Sequence, residues 1–172
     1  MVTALDSDGT RLERLNENMR RLGYAPTVVE ADATNYIAAE PFDGILLDAP
    51  CSATGTFRRH PEVLWHRSAA DIAGRVKLQQ GIFARAVKNL APGGSLVYCV
   101  CSLEPEEGEA MVDWALKAFH NLELHPVTPA ELPGLEGAVT ADGLVRTLPS
   151  MAPNGVDGGM DGFFVARFQR KP

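Results

Sequence analysis

The chain has 172 residues, of which 45% are apolar and 22% are charged, and its net charge is −6. This length suits one domain over residues 1–172, and the acidic balance argues against a protein that coats nucleic acid non-specifically. No apolar run approaches a membrane span, and the first residues lack the pattern of a signal peptide. An odd count of three cysteines then favours reduced thiols in the cytoplasm over a disulfide framework.

Apolar runs with the character of strands alternate with segments of helical periodicity. The pattern predicts strands near residues 2–6, 27–29, 42–47, 95–101, 122–124 and 163–168, and helices near 12–22, 68–90 and 105–120. Ser68 and Asp71 form a capping box at the start of the second helix, and Pro92-Gly93-Gly94 supplies its stop. About residues 126–160 proline and glycine predict a mostly irregular segment. The alternation predicts an α/β fold with a mostly parallel sheet.

Acids and cysteines follow the predicted strands, where parallel sheets place their ligands. These residues are Asp6, Asp32, Asp48, Cys51 and Cys101. Asp6 could accept hydrogen bonds from the ribose hydroxyls of a nucleoside cofactor, or it could cap the helix that follows. Asp32 could meet an adenine amino group, or it could be a turn acid. Both alternatives stay open for each residue.

The three cysteines differ in their sequence surroundings. Pro50 cannot extend a strand, so we expect Cys51 to point out of the sheet edge with an exposed, functional thiol. Cys99 lies mid-strand and is predicted to fill the core without a polar neighbour, whereas Cys101 ends its strand. With His60 these cysteines match no zinc framework, and no Cys-x-x-Cys opens a helix, so neither a metal site nor a thiol–disulfide oxidoreductase is expected.

Basic residues gather in one segment of this acidic chain. Arg58, Arg59, His60, His66 and Arg67 follow Cys51 closely, with Trp65 among them. Such a segment could be a solvated loop. Beside two candidate nucleophiles it favours contact with a phosphate backbone, and Trp65 is available for stacking or packing.

Four motifs together resemble the Sun (Fmu) family of RNA cytosine-5 methyltransferases, most of all its bacterial small-subunit ribosomal RNA methyltransferases B. They are DAPCSATGT (48–56), RRHP (58–61), YCVCSLEPEE (98–107) and MDGFFVA (160–166). The resemblance implies a Rossmann-like sheet with an antiparallel last strand, S-adenosylmethionine as cofactor, and RNA, in particular ribosomal RNA, as substrate.

The resemblance also implies a role for individual residues. Cys101 would be the nucleophile that adds to the base, and Cys51 would assist product release. Asp48 would hydrogen-bond the cytosine ring. Cofactor contacts would come from Asp6, Asp32, Asp48 and Pro50, and RNA contacts from Arg58, Arg59 and His60.

The chain departs from the family in two places. Val100 stands where threonine is frequent. The family's first strand and its glycine-rich cofactor loop have no counterpart here, so we expect a partial catalytic domain with weakened cofactor affinity. The strands ending at Asp6 and Asp48 would flank the gap, which direct pairing, a dimer or a swapped assembly would close. A DNA cytosine-5 methyltransferase that uses Cys51 and a non-catalytic RNA-binding remnant remain alternatives.

Overall fold

The computed structural model describes residues 1–152 and 159–172, and it confirms the α/β class. The helices and strands are β1 (Thr3–Asp6), α1 (Gly9–Leu22), β2 (Thr27–Glu30), β3 (Phe42–Asp48), α2 (Ala69–Asn89), β4 (Leu90–Val100), α3 (Glu109–Ala118), β5 (Leu122–Leu124), β6 (Val145–Thr147) and β7 (Phe163–Arg170). No helix in these two ranges has both the length and the apolar character needed to cross a bilayer.

The larger sheet has the strand order β3-β4-β7-β5, and β6 also pairs with β7. β3 and β4 are parallel, whereas β7 is antiparallel to β4, β5 and β6, so the sheet is mixed. β6 lies in the segment predicted to be mostly irregular, which also contains 3₁₀ turns at Pro129–Glu131 and Glu136–Ala138. The rest of that segment includes residues 153–158, which lie outside the described residues.

β1 and β2 form a separate parallel pair. Within the described ranges no ladder joins β1 to β3, so direct pairing of these two strands is not found. In the described residues β3 is an edge strand, and Leu46 on it is 73% exposed, on the side where the sequence predicts a gap between the strands ending at Asp6 and Asp48. A strand at the edge of a sheet keeps one row of backbone groups without a ladder partner.

The loop between β2 and β3 connects the small sheet to α2. Arg85 donates from Nε to the carbonyl oxygen of Thr34 (3.1 Å). Asn89 donates from Nδ2 to the carbonyl oxygen of Tyr36 (3.0 Å) and accepts from the N–H of Ala38 (3.1 Å). These side chains satisfy backbone groups of a loop that has no ladder of its own.

The core lies between α2, α3 and the larger sheet. Phe83 of α2 is at its centre, with its ring edge-to-face against Tyr98 (5.9 Å between centroids), Trp114 (5.9 Å) and Phe168 (5.3 Å). Aromatic rings prefer such edge-to-face contacts because ring edges are positive and ring faces negative. This packing fixes the strand β4, whose end forms the candidate site.

The observed ends of α2 and β4 and the observed start of α3 differ from the predicted ones. The capping box is present, with Asp71 N–H donating to Ser68 Oγ (3.2 Å) and Ser68 N–H to Asp71 Oδ2 (3.0 Å). α2 ends at Asn89, however, and the segment 92–94 predicted as its stop lies inside β4 at an irregularity of the β3–β4 ladder. β4 ends at Val100, and α3 begins at Glu109 after a turn, not at residue 105.

Candidate active site

The thiols of Cys51 and Cys101 face each other at one end of the larger sheet, with 3.5 Å between the sulfur atoms. β3 and β4 are parallel with Asp48 opposite Cys99, so their carboxyl ends lie side by side. Cys51 follows the first strand by three residues and Cys101 follows the second directly. Both thiols are half-buried, so Cys51 is less exposed than predicted.

Backbone hydrogen bonds join the loop after Cys51 to the loop after Cys101. Gly55 donates its N–H to the carbonyl oxygen of Cys101 (3.0 Å), and Leu103 donates its N–H to Thr54 Oγ1 (3.0 Å). Ala53 adopts a left-handed conformation (φ 60°), which turns the chain back toward Cys101. The two loops therefore form one structural unit, although they lie about fifty residues apart.

A buried polar cluster supports this unit from below. Glu107 is fully buried, and its carboxylate accepts from the N–H of Ser52 (2.9 Å), from Ser52 Oγ (2.5 Å) and from Gln79 Nε2 (3.0 Å). Ser52 Oγ also lies 3.0 Å from Ser102 Oγ. Gln79 Nε2 bonds the carbonyl oxygen of Pro50 as well (3.0 Å). We define Glu107, Gln79, Ser52 and Ser102 as the clamp.

Sequence reasoning missed the clamp. The pattern predicted a helix from residue 105 with Glu107 in its acidic first turn, whereas Glu107 precedes α3 and is buried. The available signal was a serine directly after each of the two candidate cysteines, at Ser52 and Ser102. Buried hydroxyls need partners, so such a pair predicts an acceptor nearby without saying which acid supplies it.

The two thiols differ in proton affinity. Either sulfur of this pair can donate the hydrogen bond; with Cys51 as the donor, the bond lowers the pKa of Cys101 to about 7 against the opposing effects of burial and the charge of Asp48. The pKa of Cys51 is raised far above its ordinary value because its proton is held by Cys101 and because it is buried; Glu107 adds to the effect. The thiolate therefore belongs to Cys101 and the proton to Cys51.

Asp48 lies exposed at the end of β3, and the sulfur of Cys99 is 3.9 Å from its Oδ1. Cys99 is buried, as predicted, but the expectation of no polar neighbour is wrong. Burial and the charge of Asp48 raise the pKa of Cys99 to about 12, so this thiol stays protonated. Pro50, between Asp48 and Cys51, is exposed, and its carbonyl is fixed by Gln79.

Asp6 and Asp32 lie at the carboxyl ends of β1 and just past β2. Asp6 Oδ1 accepts from the N–H of Asp8 (2.9 Å) and pairs with Arg11 (3.0 Å). The side chain of Asp8 caps α1, so the alternative that Asp6 is the cap is wrong. Asp32 Oδ1 accepts from the N–H (2.8 Å) and Oγ1 (2.7 Å) of Thr34, and these bonds lower the pKa of Asp32. Asp32 thus acts as a turn acid in this structure.

The basic segment lies on the surface beside the thiols. Arg59 forms a two-oxygen ion pair with Asp161, its Nε lying 3.1 and 3.0 Å from the two carboxylate oxygens. His60 Nδ1 is 3.3 Å from Glu62 Oε1, and Arg58 is exposed. Of the three predicted RNA contacts, Arg59 is therefore partly neutralised within the chain.

The family model of the 16S rRNA methyltransferases RsmB/F matches residues 1–169. The chain belongs to this family. The resemblance to the Sun (Fmu) family seen in the four motifs is thereby confirmed.

Two curated relatives and a solved structure are similar to most of the chain. The chain is 44% identical over 143 residues to the ribosomal RNA small subunit methyltransferase B of Vibrio cholerae, covering 78% of this chain and 33% of that protein. It is 37% identical over 173 residues to the same enzyme of Salmonella paratyphi B, covering 99% and 37%. The crystal structure of NSun6 from Pyrococcus horikoshii with SFG superposes with a TM-score of 0.78 at 28% identity, over 99% of this chain and 41% of that one. The chain thus spans about a third of the length of the curated RsmB relatives it matches.

Proposed function

We propose that this chain contains the catalytic centre of an S-adenosylmethionine-dependent methyltransferase that modifies carbon 5 of cytosine in ribosomal RNA. The observation that supports it most is the 3.5 Å contact between two thiols of unequal proton affinity. This chemistry needs one thiolate that attacks and one thiol that holds a proton until later. Membership of the RsmB/F family supports the substrate class.

Carbon 5 of cytosine is too weak a nucleophile to take a methyl group directly. The Cys101 thiolate adds to carbon 6, which makes carbon 5 an enamine carbon that can attack an electrophile. As the thiolate adds, ring nitrogen 3 takes a proton from solvent, and Asp48, at the exposed end of β3, accepts hydrogen bonds from that N–H and from the exocyclic amino group, which stabilises the adduct. The half-buried sulfur of Cys101 is accessible only to a base that has left its stack.

Cys51 completes the cycle as the base. Once the Cys101 sulfur is bonded to carbon 6, it no longer carries the charge that held the proton on Cys51, so the pKa of Cys51 falls. Its proton passes to solvent, and the resulting thiolate removes the proton from carbon 5. The electrons of that C–H bond restore the double bond between carbons 5 and 6, and the bond between carbon 6 and Cys101 breaks with its electrons returning to the sulfur as thiolate. Ring nitrogen 3 gives its proton back to solvent.

Asp6 has suitable hydrogen-bond acceptor chemistry for the proposed cofactor. Among the described contacts Asp6 uses only Oδ1, for Asp8 and Arg11, which leaves Oδ2 to accept from ribose hydroxyls. Asp32, Asp48 and Pro50 complete the proposed set. When bound, S-adenosylmethionine supplies the electrophilic methyl group.

The basic surface beside the thiols suits an RNA backbone. Arg58 and His60 are exposed, and Trp65 is 86% exposed, so its ring is accessible to an unpaired base. Arg59 contributes through its pairing with Asp161, which holds the segment against the start of β7.

An adduct-trapping experiment tests the function. RNA containing 5-fluorocytosine is incubated with the chain and S-adenosylmethionine; fluorine cannot leave carbon 5 as a cation, so the covalent adduct persists. We expect an adduct from the unmodified chain and from Cys51→Ser, and none from Cys101→Ser. The reverse pattern would assign the nucleophile to Cys51, as in DNA cytosine-5 methyltransferases. RNA binding without any adduct would favour a non-catalytic RNA-binding unit.

A further inference from the structure

We propose that Glu107 is a positioning residue that sets the distance between the two thiols through the clamp. This inference rests on the proposed function, because it assigns Glu107 a task in the two-cysteine chemistry. Glu107 touches neither sulfur in the described contacts. It acts through Ser52, Gln79 and Ser102, and its effect is measurable on the thiols themselves.

Glu107 and Gln79 fix the backbone on both sides of Cys51. Before Cys51, the carbonyl oxygen of Pro50 accepts from Gln79 Nε2 (3.0 Å). After it, the N–H of Ser52 donates to Glu107 Oε1 (2.9 Å). Because Gln79 also donates to that same carboxylate oxygen (3.0 Å), one group holds both ends of the Cys51 peptide. The Cys51 sulfur has little freedom left except rotation about its own side chain.

The carboxylate also fixes the direction of the hydroxyl bonds. A carboxylate only accepts, so Ser52 Oγ gives its single proton to Glu107 Oε2. Ser52 Oγ must then accept from Ser102 Oγ (3.0 Å). Ser102 is adjacent to Cys101, so this ordered pair of hydroxyls connects Glu107 to the loop that bears the nucleophile.

The backbone of Glu107 is held too. Its carbonyl oxygen accepts from the buried hydroxyl of Tyr98 (2.7 Å), which lies on β4. Tyr98 Oη also lies 3.2 Å from Gln79 Oε1, so the clamp is anchored to the same strand that ends at Cys101. Because Glu107 is fixed at both its backbone and its side chain, it holds the two loops in a fixed position relative to each other.

A neutral residue would not replace this carboxylate. Glutamine has the same size, but its amide group would direct N–H donors at Ser52 or Gln79, which are themselves donors to this position. The pKa of the Cys51 thiol is raised mainly by its hydrogen bond with Cys101 and by burial, and the negative charge of Glu107 adds a smaller effect of the same sign. Burying the Glu107 carboxylate is costly because none of its described partners is a cation. We interpret this cost as a sign that the charge is needed to hold the two cysteine loops in place.

The test measures the thiols without RNA or cofactor. The rate of Cys101 alkylation by iodoacetamide is followed against pH by peptide mass spectrometry in wild type, Glu107→Gln and the matched control Glu106→Gln, whose side chain is exposed. We expect the midpoint near pH 7 in wild type and Glu106→Gln. In Glu107→Gln it should rise by about one unit, toward the value of a free thiol near 8.5.

Ser52→Ala keeps the N–H bond to Glu107 and removes only the hydroxyl link, so we expect a smaller rise of the same sign. This variant decides the matter if Glu107→Gln does not fold, as judged by circular dichroism. A folded Glu107→Gln, or failing that Ser52→Ala, with the wild-type midpoint would overturn the proposal. A shifted midpoint in a chain that forms no RNA adduct would instead contradict only the proposed function.

Discussion

Gly162 donates its N–H to the carbonyl oxygen of Gly55 (2.8 Å), so the start of β7 rests directly on the loop that follows Cys51. A Cβ atom on Gly55 would overlap the carbonyl group of Gly162 and would lie 3.0 Å from the carbonyl oxygen of Cys101. Backbone atoms surround the position, and they cannot rotate away as a side chain would. Gly55 is therefore required for the contact between the two cysteine loops.

We predict that Gly55→Ala destabilises the fold by about 2 kcal/mol, within the usual range for overpacking. Urea unfolding followed by circular dichroism measures this. Gly74→Ala is the matched control: Gly74 lies within α2 with nothing inside 4 Å of an added Cβ, and alanine there should stabilise by about 1 kcal/mol. Equal stability of Gly55→Ala and wild type would contradict the close packing.

The pH dependence of Cys101 alkylation depends on the hydrogen bond from Cys51. The pKa of Cys101 is lowered, so its reactive thiolate is present above about pH 7 and is lost as the pH falls through that value. Cys51→Ala removes the donor and should move the midpoint up toward about 8.5. Cys51→Ser keeps a hydroxyl donor and should lie between the two. A midpoint unchanged in Cys51→Ala would show that the thiols do not share a proton.

Local and directional signals made much of this fold predictable. The capping box of Ser68 and Asp71 lies within one helical turn, so α2 was found nearly at its true start. The meeting of Cys51 and Cys101 followed from strand direction alone, because parallel neighbours end at the same edge. Neither inference needed contacts between distant parts of the chain.

What sequence reasoning missed depends on long-range partners. Glu107 accepts from Ser52, 55 residues away, and nothing in the local pattern of acids distinguishes it from the exposed Glu106. β6 is only three residues long, and it forms a strand because its backbone pairs with β7. The composition of residues 92–94 predicted the end of α2. In the structure these residues lie inside β4, at an irregularity of the ladder between β3 and β4.

Trp65 provides a direct probe of the RNA surface. Its side chain is 86% exposed, so Trp65→Ala should leave the urea midpoint unchanged. If the ring stacks on an unpaired base, the same variant should weaken RNA binding by about 5- to 150-fold, because stacking contributes about 1–3 kcal/mol per base. Fluorescence anisotropy with a single-stranded RNA at fixed salt measures it. Tyr24→Ala, an exposed aromatic beyond α1, is the control and should bind normally.

Arg58 and Arg59 differ in whether their charge is paired with an acid in the described contacts. Arg59 is paired with Asp161, whereas Arg58 lies exposed on the same segment. If Arg58 contacts a phosphate, Arg58→Ala should reduce the slope of log affinity against log salt by about 0.7, the value for one ion released from a single strand. The control Arg14→Ala removes an equally exposed charge from α1. A similar loss of slope in both variants would show that net charge, and not this surface, governs RNA binding.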